Sequence, residues 1–305
     1  MSKLRRFLCI STVVAALALL LVNVHFSHSC DGVDQVLICR KIPSYFSPGY
    51  LTLVMYLSDV GEINSTVFRS SNLTSVTGLR IDNAGVTAIA EGAFGSFQNL
   101  TSVSLRRNAL MQINSNWFGR PAVLRELILE ENQIEAVNES TLSGFINLTK
   151  LSLNKNRIRT IEPNSFRSHT NLAELDLSGN RMTRVSPQVF GALRSARIRL
   201  DGNPWDCSCE AEDLVVFLKD LQSRSLLDRP AEVTCESPPS LRGRPVWGAS
   251  VCVTSPAPGP PSVSQTVPPR PTDAVTTVPV SSGTSGSSQL FFRAVLEISQ
   301  TLTAE

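Results

Sequence analysis

Between Leu100 and Asn203 the apolar positions of this chain fall on one frame that repeats every 24 residues. The frame reads Leu100-x-x-Val103-x-Leu105-x-x-Asn108-x-Leu110. It recurs at Leu124, Leu127, Leu129, Asn132 and Ile134, at Leu148, Leu151, Leu153, Asn156 and Ile158, and at Leu172, Leu175, Leu177, Asn180 and Met182. The apolar-x-apolar pair at its centre predicts a short strand with two side chains turned inward and the residues around them turned to solvent. A second apolar set completes each turn, at Ile113, Val137, Ile161 and Val185 and again at Phe118, Leu142, Phe166 and Phe190. One such turn cannot bury both of its faces, so the pattern predicts stacked turns that share one elongated core. Unrelated strands do not keep so regular a spacing.

Weaker copies extend the array toward the N-terminus, through Val76, Leu79, Ile81, Val86, Ile89 and Phe94, and before them Tyr50, Leu53, Met55, Val60, Ile63 and Phe68. The asparagine of the frame sits where each strand ends and the chain turns. Its amide is expected to bond backbone groups that would otherwise be buried unpaired, so stacked copies form a ladder. In the two weaker copies the ladder position is Ala84 and Ser58, and terminal turns, which meet a cap instead of another repeat, are expected to be atypical. The frame is the leucine-rich repeat signature. It predicts an α/β solenoid: a horseshoe with a parallel concave sheet, an irregular or short-helical convex side and disulfide-bonded caps. Residues 50–202 hold about six repeats, with a further half-turn ending at Asn203.

The flanks differ in kind. Lys3, Arg5 and Arg6 precede an apolar run from Phe7 to Val24, with Ser27 and Ser29 as small residues before Cys30. Residues 1–29 therefore read as a secretory signal peptide, with an uncleaved signal anchor as the alternative. Of seven cysteines Cys9 lies in that segment, and Cys30, Cys39, Cys207, Cys209, Cys235 and Cys252 flank the repeats without interrupting them. An even set at the two ends of a secreted chain predicts disulfides that seal the core, against zinc as the rival at Cys207-Ser208-Cys209. Residues 30–49 form the N-terminal cap and 203–253 the C-terminal one. In the latter, Trp205 is expected to cover the last open turn, and Leu214, Phe217, Leu218 and Leu221 make the apolar stripe of a lid helix. Residues 254–288, rich in Pro, Ser and Thr, read as an extended O-glycosylated stalk. The tail, 289–305, carries Arg293 and Glu297 in a stretch too short to span a membrane or to act as a glycolipid-anchor signal.

Residues 30–252 thus resemble an extracellular leucine-rich repeat domain with cysteine-rich flanks, similar to those of Slit proteins, Toll-like receptor ectodomains, platelet glycoprotein V, the carboxypeptidase N large subunit and variable lymphocyte receptors. The resemblance implies pairing of Cys207 with Cys235 and of Cys209 with Cys252. Relatives usually carry four cysteines in the N-terminal flank. This chain has only Cys30 and Cys39 there, which implies a smaller hairpin cap with one bridge.

Net charge is +2 without a basic cluster, so nothing points to nucleic acid. His169 is the only histidine beyond the signal segment, placed by its repeat position in a loop, and no nucleophile-base pair, phosphate loop or metal-ligand spacing can be assembled. The chain reads as no enzyme and as needing no cofactor. Its expected partner is a protein ligand or a partner subunit, with membrane contact only if the signal stays uncleaved or another isoform carries an anchor. Five N-glycosylation sequons begin at Asn64, Asn72, Asn99, Asn138 and Asn147, none at a solvent-facing strand position. By elimination the strand face is left open. The register gives it Arg80, Asp82 and Asn83; Ser104, Arg106 and Arg107; Glu126, Ile128, Glu130 and Glu131; Lys150, Ser152, Asn154 and Lys155; Glu174 and Asp176; then Arg197, Arg199 and Asp201. Two surfaces fit this pattern. One is a docking face whose charges set specificity. The other is a solvated, self-neutralising face on a carrier rod. No exposed aromatic hot spot is visible in these repeats.

Overall fold

The computed structural model describes residues 29–249. The signal segment to residue 28, Cys252, the stalk and the tail lie outside the described residues.

Short apolar-x-apolar segments make ten strands that pair in chain order: β1 (Cys30–Val33), β2 (Val36–Cys39), β3 (Thr52–Met55), β4 (Gly78–Arg80), β5 (Ser102–Ser104), β6 (Glu126–Ile128), β7 (Lys150–Ser152), β8 (Glu174–Asp176), β9 (Arg197–Arg199) and β10 (Leu227–Asp228). All neighbours are parallel except β1 and β2, which form an antiparallel hairpin. The central residue of each repeat strand, Leu79, Val103, Leu127, Leu151, Leu175 and Ile198, is buried in one continuous core.

Returning chain closes that core on the opposite side. Gly61–Ile63 pairs with Val86–Ile89, and Ala136–Val137 with Thr160–Ile161, in two small parallel sheets. Phe46, Phe68, Phe94, Phe118 and Phe145 follow one another with ring centroids 5.3 to 5.9 Å apart. At Leu142 the stack breaks, and helix α1 (Glu139–Leu142) takes its place. It resumes as Phe166, Phe190 and Phe217, with centroids 6.1 and 6.0 Å apart. Phe217 belongs to α2 (Glu212–Ser223), whose Leu214, Val215, Phe217, Leu218 and Leu221 are buried over the last turn.

The asparagine ladder has five rungs. Asn132 Nδ2 donates to the carbonyls of Leu105 (2.9 Å) and Leu129 (3.1 Å), and its Oδ1 accepts from the Leu110 amide (3.1 Å). Asn108, Asn156, Asn180 and Asn203 repeat the arrangement one turn apart. Each rung satisfies buried backbone groups that no strand partner reaches. The terminal turn adds Trp205, fully buried, whose Nε1 donates to the Leu200 carbonyl at 3.0 Å.

Both ends are cross-linked. Cys30 is bonded to Cys39 across the β1–β2 hairpin, and Cys207 to Cys235, where Trp205–Asp206 pairs with Cys235–Ser237. Cys209 is also disulfide-bonded.

His169 lies in a connection, as its repeat position implied, and it is buried there. It is 1% exposed, packed edge-on against Phe166 with centroids 5.9 Å apart, at the repeat position held elsewhere by Phe97, Phe145 and Leu193. Neither ring nitrogen has a hydrogen-bond partner. Burial lowers its pKa below the usual imidazole value, and the nearby Leu142 carbonyl, without forming a hydrogen bond, opposes this only in part. The unfolded chain therefore binds the proton more tightly. Stability is complete above the ordinary histidine pKa, about 6.5, and falls as the pH drops below it. His169→Phe is expected to raise stability by about 1 kcal/mol at about pH 7, because an unsatisfied buried polar group is removed, and by more at about pH 5. Thermal unfolding of both proteins at the two pH values checks this.

Candidate interaction surface

The sheet face away from the core is set by strand register. Its first row, Gly78, Ser102, Glu126, Lys150, Glu174 and Arg197, alternates in sign from Glu126 onward, each residue directly opposite the next. Lys150 Nζ lies 3.0 Å from Glu174, and the bond to that carboxylate raises the lysine pKa. Ser102 Oγ donates to Glu126 at 3.1 Å. A second row runs Arg80, Ser104, Ile128, Ser152, Asp176 and Arg199. Arg199 bridges Asp176 (3.0 Å) and Asp201 (3.1 Å). Ile128 is the one large apolar side chain among the first and third residues of strands β4 to β9, which turn outward.

Past the strand ends, Asp82 accepts from Ser104 Oγ (2.6 Å) and from the Arg106 amide (3.0 Å), and it pairs with Arg80 at 3.1 Å. Arg106 Nε is 2.9 Å from Glu130 but out of line for a hydrogen bond, so the contact is ionic. Arg107, Glu131 and Lys155 occupy the next position, where the backbone is left-handed, with φ of 54°, 55° and 54°. Asn83 holds that position in the preceding turn and Gly179 and Gly202 in later ones, residues that accept such φ readily. The three charged residues stack into their own chain, with Arg107 3.1 Å and Lys155 3.6 Å from Glu131. The bond from Arg107 is the main cause that lowers the Glu131 pKa.

Arg80, Asp82, Arg106, Arg107, Glu126, Ile128, Glu130, Glu131, Lys150, Lys155, Glu174, Asp176 and Arg199 thus share one continuous surface, on which every one of these cations touches a carboxylate of the same face. A shallow hollow toward its C-terminal end is lined by Glu130, Lys150, Glu174, Asp176, Arg197 and Arg199. The sequon asparagines all lie in the connections. Asn72, Asn99 and Asn147 donate to the carbonyls of Phe46, Thr74 and Ala122, Asn64 accepts from Thr66, and Asn138 precedes α1. Among the described residues no cluster of three or more His, Cys, Asp or Glu side chains could hold a metal ion.

One part of the face is absent from the repeat register. On β2 and β3 the residues between the buried Leu37, Cys39, Leu53 and Met55 are Val36, Ile38, Thr52 and Val54, and the exposed Tyr56 follows. The face thus changes from apolar at its N-terminal end to charged beyond it.

Residues 46–197 match the model of the "BspA type Leucine rich repeat region", in six copies. No curated protein matches the chain. Among solved structures it is similar to human 5T4 (Wnt-activated inhibitory factor 1, trophoblast glycoprotein), with 18% identity and a TM-score of 0.54 over 73% of this chain and 97% of that one. At that identity the likeness concerns the fold alone. The repeat legible in the sequence, matched by the family model and held by the ladder is one and the same, and the chain is a leucine-rich repeat protein with disulfide-bonded caps.

Proposed function

We propose that this protein is a secreted, N- and O-glycosylated module that binds a protein partner on its concave sheet, in recognition, adhesion or assembly. The carrying observation is that the sheet face is continuous over ten strands while all five sequons fall in the connections. Glycans are bulky and hydrated, so they leave the concave face as the open surface, and solenoids offer such faces for extended contact. The bridge at each end supports an oxidising compartment. The apolar run before Cys30 supports export, and the Pro/Ser/Thr-rich segment supports a stalk.

A carrier or spacer role is the second reading. The self-pairing of the charged rows favours it, since a face whose charges satisfy each other has less to offer a ligand. Lys150→Glu with Lys155→Glu separates the two. Lys155 is exposed, Lys150 is half-buried at the surface, and their ion pairs are weak, so stability is expected to change by less than about 1 kcal/mol. On the concave reading, affinity for the partner recovered with the full secreted chain drops about tenfold or more, mainly through a salt-sensitive on-rate. Surface plasmon resonance at two salt concentrations reads this. An unchanged affinity in the folded double variant places the contact on the caps or convex side.

A further inference from the structure

We infer that the N-terminal end of the concave face is the anchoring point, and that it takes a protein segment presenting an apolar side chain next to carboxylates. This inference rests on the concave reading above and locates the contact within it. Register puts the relevant side chains together. Val33 lies opposite Val36, Val36 opposite Thr52, and Ile38 opposite Val54. Their sequence neighbours Leu37, Cys39, Leu53 and Met55 are buried in the core, so Val36, Ile38 and Val54 turn to the concave side. Tyr56 continues that face and is 64% exposed, while Val33 at the sheet edge is 56% exposed. Farther along, the equivalent positions are charged or polar, apart from Gly78 and Ile128. The apolar end is therefore a distinct patch within an otherwise self-paired surface, and such patches mark contact sites.

Charge identifies the occupant. Tyr56 shares a hollow with Arg80, Asp82, Asn83, Arg106 and Arg107, so three guanidinium groups face one carboxylate there. The other acids that touch Arg106 and Arg107, Glu130 and Glu131, belong to the next turn and do not line the hollow. Tyrosine and arginine beside an aliphatic patch form the residue set that dominates binding energy in protein interfaces. An incoming carboxylate can compete with Glu130 and Glu131 for the guanidinium groups that line the hollow, whereas a basic partner meets those groups directly. Val54 lies directly opposite Arg80, so the patch and the arginines adjoin, and Gly78, opposite Thr52, carries no side chain beside them.

The test pans a random displayed-peptide library against the full secreted chain and measures the enriched peptides against variants by surface plasmon resonance. The expected consensus is an aliphatic or aromatic residue flanked by Asp or Glu. Tyr56→Ser and the shape-conserving Val54→Thr should each weaken those peptides about tenfold or more with an unchanged unfolding midpoint. Failure to enrich such peptides, or binding that survives both substitutions, overturns the proposal. Peptides that ignore Tyr56 and Val54 but are lost in the Lys150→Glu, Lys155→Glu variant leave the concave reading standing and remove the anchor. Peptides insensitive to all four changes remove both. Self-association of the wild-type chain, measured by sedimentation and abolished by Tyr56→Ser, would make a second copy the occupant and also overturn the proposal.

Discussion

Asn132→Ala or Asn156→Ala will destabilise the protein by about 1–3 kcal/mol although each removes only a small polar side chain. In the native turn, Asn156 donates to the Leu129 and Leu153 carbonyls at 2.9 and 3.0 Å and accepts from the Ile134 amide at 3.0 Å. Alanine leaves these groups unpaired at a site where the side chain they bonded is itself 6% exposed. Because the loss is desolvation and not packing, the near-isosteric Asn156→Asp separates the causes. A carboxylate still accepts from Ile134 but aims its second oxygen at two carbonyls, so Asp should be at least as harmful as Ala near neutral pH. It should recover as acid protonates it and restores one donor. Chemical denaturation of the three proteins at two pH values decides the matter. An alanine variant as stable as the wild type would show that water replaces the amide.

Much of this was legible before the fold was known because the repeat period does two jobs at once. A spacing of 24 residues brings Leu127 beside Leu151 in the core, and it also brings Arg106 beside Glu130 and Arg107 beside Glu131 on the surface. What escaped reading did so for physical reasons. In Val36-Leu37-Ile38-Cys39 the two faces are equally apolar and no repeat frame covers them, so only strand pairing reveals which residues face the solvent, whereas in Thr52-Leu53-Val54-Met55 the frame already turned Leu53 and Met55 inward. His169 broke the apolar code at a position that Phe145 and Leu193 fill, and its burial is imposed by the turns stacked on either side. Strand β10 is two residues long and owes its existence to its pairing with β9, which no local pattern announces. The left-handed φ at Arg107, Glu131 and Lys155 is likewise imposed by the turn, against the preference of those residues.

Opening the bridge between Cys207 and Cys235 should have the largest effect of all and should act locally. The bond closes a loop with a sequence separation of 28, for which chain entropy alone gives a stabilisation of about 3–4 kcal/mol. That loop contains α2, so Cys207→Ser with Cys235→Ser loosens the lid whose Phe217 stacks on Phe190. A solenoid transmits such a loss only through neighbouring turns. Hydrogen exchange should therefore quicken in α2 and around Trp205, while amides of β5 to β7 stay protected. Uniform quickening would mean that cap and repeats open as one unit. Asp206 supplies a second, separable hold. Burial raises its pKa, but bonds from Arg184 (2.7 Å), the Ser208 amide (3.0 Å) and Ser237 (3.0 Å) outweigh that and bring it down to about 2 from 3.8. A carboxylate with a lowered folded pKa contributes stability above its unfolded value, and that contribution is lost as the pH falls from 3.8 toward 2. Beside the bridge that Cys209 keeps, Asp206 links the last repeat to the segment after α2, so the lid of the double variant should loosen further on acidification across that interval before the repeats melt. If lid exchange in the variant is the same at the top and bottom of the interval, Asp206 does not help to hold the lid.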